Sequence, residues 1–219
     1  MFVVHHNRRG FVHIARTGGT WVKACTEAVP TRDRIRPAHR PQLSPSEDQV
    51  LSQYQWCAVI RDPVQRFRSL WQQHLRIYHH TLPQRRMRGQ EDFPHIQNGY
   101  RVPIGRFQDW ACWIDWWQDR PIPSDHKSMW DSQISKIRAN TLLFAYSGGL
   151  KACVSWLGGT VDTAPVNGSE PFEHSISARQ RSIIEQRYAA NQALYESMEN
   201  QRSLGSAVSA AAVIDLERY

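Results

Sequence analysis

The sequence predicts an α/β protein, a single domain over residues 1–219 with a central parallel sheet flanked by helices. Three observations carry that expectation. Trp56-Cys57-Ala58-Val59-Ile60 and Thr141-Leu142-Leu143-Phe144-Ala145-Tyr146 are continuous apolar runs, the pattern of strands buried on both faces. Helical patterns alternate with these runs and with a shorter one, Phe11-Val12-His13-Ile14, which favours parallel pairing. The length of 219 residues is enough for one domain with a full core.

The elements follow in order. The strand near Phe11 to Ile14 leads through the turn Thr17-Gly18-Gly19 into a helix from Thr20 to about Ala28. Proline-rich chain follows at Pro30, Pro37, Pro41 and Pro45, and Ser46-Glu47-Asp48 has the form of a helix start. After the Trp56 strand, Pro63 opens a long helix, at a position where proline is tolerated. Val64, Phe67, Leu70, Trp71 and Leu75 keep its helical period. Residues 81–105 are polar, basic and rich in Pro and Gly, and read as a long mobile loop of the kind that carries function. A helix is expected over 106–118, with Trp110, Trp113, Trp116 and Trp117 at helical spacing. That cluster reads as a core face; the alternative is an aromatic wall for a ring-shaped substrate. Ser147 is expected to cap a helix ending at Gly158-Gly159, a last helix covers 177–199, and about 203–219 is a C-terminal tail.

Composition narrows the function classes. A net charge of +7 and a pI near 9.5 favour anionic partners. Arg85, Arg86 and Arg88 form a short basic cluster, but no zinc-finger or RNP-type motif accompanies it, so nucleic acid is not the expected partner. The four cysteines, Cys25, Cys57, Cys112 and Cys153, form no CxxC pair, so no metal is expected. Each lies among apolar neighbours and reads as a buried free thiol of a reducing compartment. No signal-peptide apolar region and no run approaching ~20 apolar residues is present, so a cytoplasmic protein with no membrane partner is expected.

Two motifs carry chemistry. Ala15-Arg16-Thr17-Gly18-Gly19-Thr20-Trp21 lies between a strand and a helix. A helix N-terminus offers unpaired N–H groups, glycines let backbone approach an anion, Arg16 adds a fixed charge and the threonines add donors. The pattern GxxxxGK[ST] is absent, which disfavours an ATP- or GTP-hydrolysing loop. Read alone, the segment also fits an ordinary tight turn. The second motif, Arg61-Asp62-Pro63 with Ser69 in the following helix, places an arginine at the carboxyl end of a buried strand, where open α/β sheets bind ligands. Arg61 and Ser69 together suit a phosphate; read alone, they also fit a salt-bridged arginine and a surface serine.

Together the motifs resemble those of the sulfotransferases that use 3′-phosphoadenosine 5′-phosphosulfate (PAPS). That family carries a PKTGGT- or PKSGTTW-like loop after its first strand and an RDPxxRxxS segment, here matched from Arg61 to Ser69. His126 with Gln133, the stretch 142–158 and Asn167-Gly168-Ser169 are similar to the carbohydrate O-sulfotransferase branch. The resemblance covers about residues 10–200 and is weak over 81–105. It implies a P-loop-NTPase-like fold and transfer of a sulfuryl group from PAPS to a carbohydrate hydroxyl, with adenosine 3′,5′-bisphosphate (PAP) as product and no metal. Other acceptors to weigh are a small alcohol, phenol or lipid; a non-catalytic binding module for anionic polymers is the reading from a different class.

By position, Thr17, Gly18, Gly19 and Thr20 would cradle the 5′-phosphosulfate, Trp21 would stack on adenine, and Arg61 and Ser69 would hold the 3′-phosphate. Arg66 would be a structural ion pair. Where the family has Pro-Lys, this chain has Ala15-Arg16, so Arg16 would stabilise the leaving group by charge rather than pass it a proton. The acceptor hydroxyl needs a general base, and histidine suits neutral pH. His39 is the first candidate, His126 the second and His74 a third, with Glu47 or Asp48 as carboxylate options.

Overall fold

The computed structural model describes residues 1–26, 29–30, 49–87, 92–96, 100–103, 109–119, 132–137, 140–161, 175–203 and 211–213. The chain divides into two compact units. One comprises Met1–Asp62, Ser132–Gly168 and Ala190–Tyr219 and holds the main sheet. The other comprises Pro63–Asp131 and Ser169–Ala189, and its described residues are mostly helical.

The sheet unit opens with strand β1 (Phe2–Val4), a 3-10 turn at His5–Asn7 and strand β2 (Arg9–Val12). Helix α1 is Gly19–Ala24, shorter than expected, and strand β3 is Val29–Pro30. Strand β4 (Gln55–Ile60) and strand β7 (Thr141–Ala145) are the two apolar runs foreseen above. Helix α4 spans Tyr146–Trp156, helix α6 spans Ala189–Ser203, and strand β8 is Ala211–Val213. The strand order is β3-β1-β2-β4-β7-β8.

The sheet is therefore mixed, which corrects the expectation of a parallel one. β2, β4 and β7 are parallel, with Phe11 opposite Cys57 and Cys57 opposite Leu142. The rims are antiparallel: β1 pairs with β2 and β3, and β8 pairs with β7. The tail expected after residue 203 thus supplies a strand, with Val213 opposite Leu142.

Alternation along the strands divides the core into two layers. Phe11, Cys57, Val59 and Phe144 face one way and pack with Trp21 and Val22 of α1 and Cys153 and Val154 of α4. Val12, Trp56, Ala58, Ile60 and Leu143 face the other way and pack with Leu194 and Met198 of α6. Helices on both sides explain why the central strands are apolar at every position.

The helical unit opens with helix α2 (Pro63–Met87), which starts at the proline as expected. It continues past Thr81 and through Pro83, and strands β5 (Asp92–Ile96) and β6 (Tyr100–Pro103) pair antiparallel beyond it. The expected long loop over 81–105 is therefore corrected: helix and hairpin fill most of it. Helix α3 is Trp110–Trp117, with Asp109 accepting a hydrogen bond from Cys112 N at 2.8 Å as its N-cap. Helix α5 is Ala178–Arg187, opened by a reciprocal cap between Ser177 and Gln180. The single last helix expected over 177–199 is two helices, because Tyr188 leaves helical geometry (φ −114°, ψ 34°).

Trp110, Trp113 and Trp117 are buried, so the tryptophan cluster is a core face and these three form no open wall for a substrate. Phe67 meets Trp117 at 4.5 Å and Trp110 at 5.7 Å between ring centroids, Trp71 meets Trp110 at 5.2 Å, and Tyr188 lies 5.8 Å from Trp117. Arg187 closes this cluster. Its guanidinium lies 3.9 Å over the Trp117 ring and donates to the Trp117 carbonyl at 2.9 Å and to that of Gln118, placing a cation at the C-terminus of α3.

Cys25, Cys57 and Cys153 are buried free thiols, but Cys112 is exposed, which corrects the reading of four buried cysteines. Cys57 and Cys153 lie with their sulfurs 3.7 Å apart. Burial first, and then the hydrogen bond to Cys153, push the Cys57 thiol well above its usual range. Since the thiolate is the reactive form, a thiol reagent on the folded protein should label Cys112 first and reach Cys57 and Cys153 only on unfolding. Mass spectrometry over a labelling time course checks this; early modification of Cys57 would contradict it.

Candidate functional site

The carboxyl ends of β2, β4 and β7 bring together the chain segments that the sequence marks. Beyond β2 the chain turns through Ala15–Gly18 into α1. Arg16 (φ 67°) and Gly18 (φ 86°) both take left-handed geometry, and Gly18 is the N-cap of α1. At Gly18 it is the left-handed φ of 86° that calls for glycine. A Cβ on Gly19 would fall 2.0 Å from the His13 ring, so the imidazole lies directly against the turn. The Gly18 carbonyl accepts from Trp21 N at 3.0 Å and Val22 N at 3.1 Å. The amides of Gly19 and Thr20, as the first of the helix, have no carbonyl one turn back within α1.

Two of the loop residues differ from their expected roles. Thr17 is fully buried and its hydroxyl donates to the Ile14 carbonyl at 2.9 Å, so it braces the turn rather than facing a ligand. Trp21 is only 4% exposed and packs in the sheet core, so its ring is covered by protein where adenine stacking needs a free face. Thr20 is exposed. α1 itself is six residues long, so the loop's attraction for an anion rests on local N–H groups more than on a helix dipole.

Arg61 is the centre of the site. It follows β4 directly, and its Nη1 donates to the Arg16 carbonyl at 3.2 Å, so the two motifs meet. Its guanidinium lies 4.4 Å over the ring of Tyr146, the first residue after β7. Its Nε is buried without a hydrogen-bond partner, and no carboxylate pairs with it among the described residues. Burial lowers the guanidinium from the usual arginine value, while Tyr146, Asp62 and Tyr195 oppose that shift. An arginine keeps its proton through such a change, so the burial appears instead as an unfavourable energy of the charge, which an anion would relieve.

The backbone of Arg61 is clamped. Arg61 N donates to Gln133 Oε1 at 3.0 Å, and Gln133 Nε2 donates to the Arg61 carbonyl at 2.7 Å. Gln133 is buried and is held in turn by Asn191 of α6, whose Oδ1 accepts from Gln133 N at 2.7 Å and Ile134 N at 3.2 Å. Sequence reading singled out Gln133 only by likeness and missed Asn191. A buried amide three residues before the apolar Leu194 was the available signal.

On the other side of Arg61, the turn after β7 breaks helical geometry at Ser147 (ψ 94°) and Gly148 (φ 81°). Ser147, the expected cap of α4, lies at this break, and its side chain reaches α6: its Oγ donates to Glu199 Oε1 at 2.5 Å and lies 3.0 Å from the Tyr195 hydroxyl. Burial raises the Tyr195 phenol above its usual range, with Glu199 and Asp62 adding to the shift and the hydrogen bond shared with Ser147 opposing it.

Ser69 lies in α2 of the helical unit, where it and Arg66 are buried. His39, His126, Glu47, Asp48 and Asn167-Gly168-Ser169 lie outside the described residues, as do the surroundings of the His74 side chain. Among the described residues no cluster of three or more His, Cys, Asp or Glu side chains could hold a metal, and no helix is long and apolar enough to cross a membrane. Comparison with protein-family models, with curated proteins and with solved structures finds no match to this chain.

Proposed function

We propose that the chain is a PAPS-dependent O-sulfotransferase with a P-loop-NTPase-like fold, acting on a carbohydrate hydroxyl. The single observation that carries this reading is the half-buried Arg61 cation, which has no carboxylate paired with it among the described residues and is hydrogen-bonded to the backbone of the Arg16–Thr20 turn. Two motifs separated by 45 positions meet at one anion-seeking point, which is what a nucleotide bearing two phosphate groups requires. The three parallel central strands, with this point at their carboxyl ends, agree with it.

In this reading Arg61 holds the 3′-phosphate. The Gly18–Thr20 backbone receives the 5′-phosphosulfate, and Arg16 offsets the charge that grows on the departing phosphate. The donor supplies the sulfuryl group; the chain's part is to position it, bind charge and take the acceptor's proton, for which His39 and then His126 remain the proposed bases. Trp21 is not part of the reading, because its ring is in the core.

Thermal denaturation with adenosine 3′,5′-bisphosphate, ADP and ATP tests the donor half. The bisphosphate at about 100 times its dissociation constant should stabilise the fold by roughly 2.7 kcal/mol, and ADP by clearly less. No shift with the bisphosphate, or an equal shift with ADP, overturns the proposal.

A further inference from the structure

Asn191, Tyr195 and Glu199 are spaced at i, i+4 and i+8 and so form one stripe of α6. That stripe grips both segments that flank Arg61. Asn191 holds the turn at Ser132–Ile134, accepting from Gln133 N and Ile134 N and donating from Nδ2 to Ser132 Oγ at 3.0 Å. Gln133 then fixes the Arg61 backbone through both its N–H and its carbonyl. Four residues on, the Tyr195 hydroxyl and the Glu199 carboxylate hold Ser147, next to the Tyr146 ring on which the guanidinium rests. The apolar side of the same helix, Leu194 and Met198, packs on the sheet core and sets its height.

We propose that α6 is the latch of the anion site: Asn191, Tyr195 and Glu199 are positioning residues that set Arg61, and an anion held by Arg61 tightens α6 in return. The second half follows from the first, because coupling between two bound states is reciprocal. Gln133 is the lever between them. It is buried, and its two hydrogen bonds leave the Arg61 strand end little freedom to turn. This inference rests on the proposal that the site takes a nucleotide bisphosphate.

Hydrogen exchange and calorimetry with adenosine 3′,5′-bisphosphate test it on the full chain. In the wild type, the bisphosphate should slow exchange across residues 189–203. Asn191→Ala should weaken its binding by roughly tenfold and abolish that slowing. Tyr195→Phe, which keeps the ring and removes the hydroxyl at Ser147, should weaken it less. Glu196→Ala, on the exposed side of the same helix, should leave affinity unchanged even if it lowers the melting temperature, which separates positioning from plain stability. Wild-type binding with unaltered exchange over 189–203, or an Asn191→Ala affinity within twofold of wild type, overturns the latch alone. A wild type that does not bind the bisphosphate overturns the latch together with the proposed function.

Discussion

Arg61→Met should abolish most binding of adenosine 3′,5′-bisphosphate while leaving the unliganded protein about as stable as the wild type, or more so. An ordinary buried arginine behaves in the opposite way, since removing one partner of a buried ion pair is strongly destabilising. Here, among the described residues, the guanidinium has the Arg16 carbonyl and the Tyr146 ring as direct partners and no paired carboxylate, Asp62 acting on it only through its charge, so its removal relieves desolvation of a charge. Methionine fills similar space against Tyr146 without a charge. The lost bond to the Arg16 carbonyl offsets about 1 kcal/mol of that relief. Against a phosphate, a charge-assisted contact contributes roughly 1.5–3 kcal/mol, so affinity should fall by at least about tenfold. Calorimetry gives the affinity and a ligand-free melt gives the stability. A large fall in the ligand-free melting temperature would assign Arg61 to the fold rather than to a ligand.

Trp113→Ala is expected to destabilise the helical unit by about 3–5 kcal/mol, the range for emptying a large aromatic site in a core. Trp113 is 0% exposed, on the helix whose neighbouring tryptophans meet Phe67 and Trp71. Urea unfolding followed by circular dichroism reads the change. A substrate-stacking tryptophan would behave otherwise, losing acceptor affinity with little change in stability. A shift below about 1 kcal/mol would therefore return Trp113 to that role.

The central strands were legible because Cys57–Ile60 and Leu142–Ala145 are apolar at every position, a local signal of burial on both faces. Pro63 and Ser177 were legible as helix starts for equally local reasons. The antiparallel rims were not, since β1 and β8 are three residues each, too short to show a period, and β8 pairs with distant chain. The β5–β6 pair was missed because the proline and glycine content around it read as a loop. Trp21 was assigned by motif position; Trp21, Val22 and Cys25 form a short apolar stripe that already pointed to the core. Within the site, the Arg16 and Arg61 motifs were readable as patterns. The clamp that holds Arg61 was not, because Gln133 and Asn191 lie 72 and 58 positions from the partners they bind.

The rims of the main sheet bear on how the protein behaves at high concentration. Both terminal strands are short, two residues in β3 and three in β8, and β3 ends in Pro30, which has no N–H to offer. Among the described residues, a neighbouring molecule seeking to extend the sheet would find a fragment of ladder at either side. The long apolar strands that would template fibres, β4 and β7, are enclosed between β2 and β8. The antiparallel caps that the sequence did not announce therefore keep the stickiest strands of the chain out of reach of other copies.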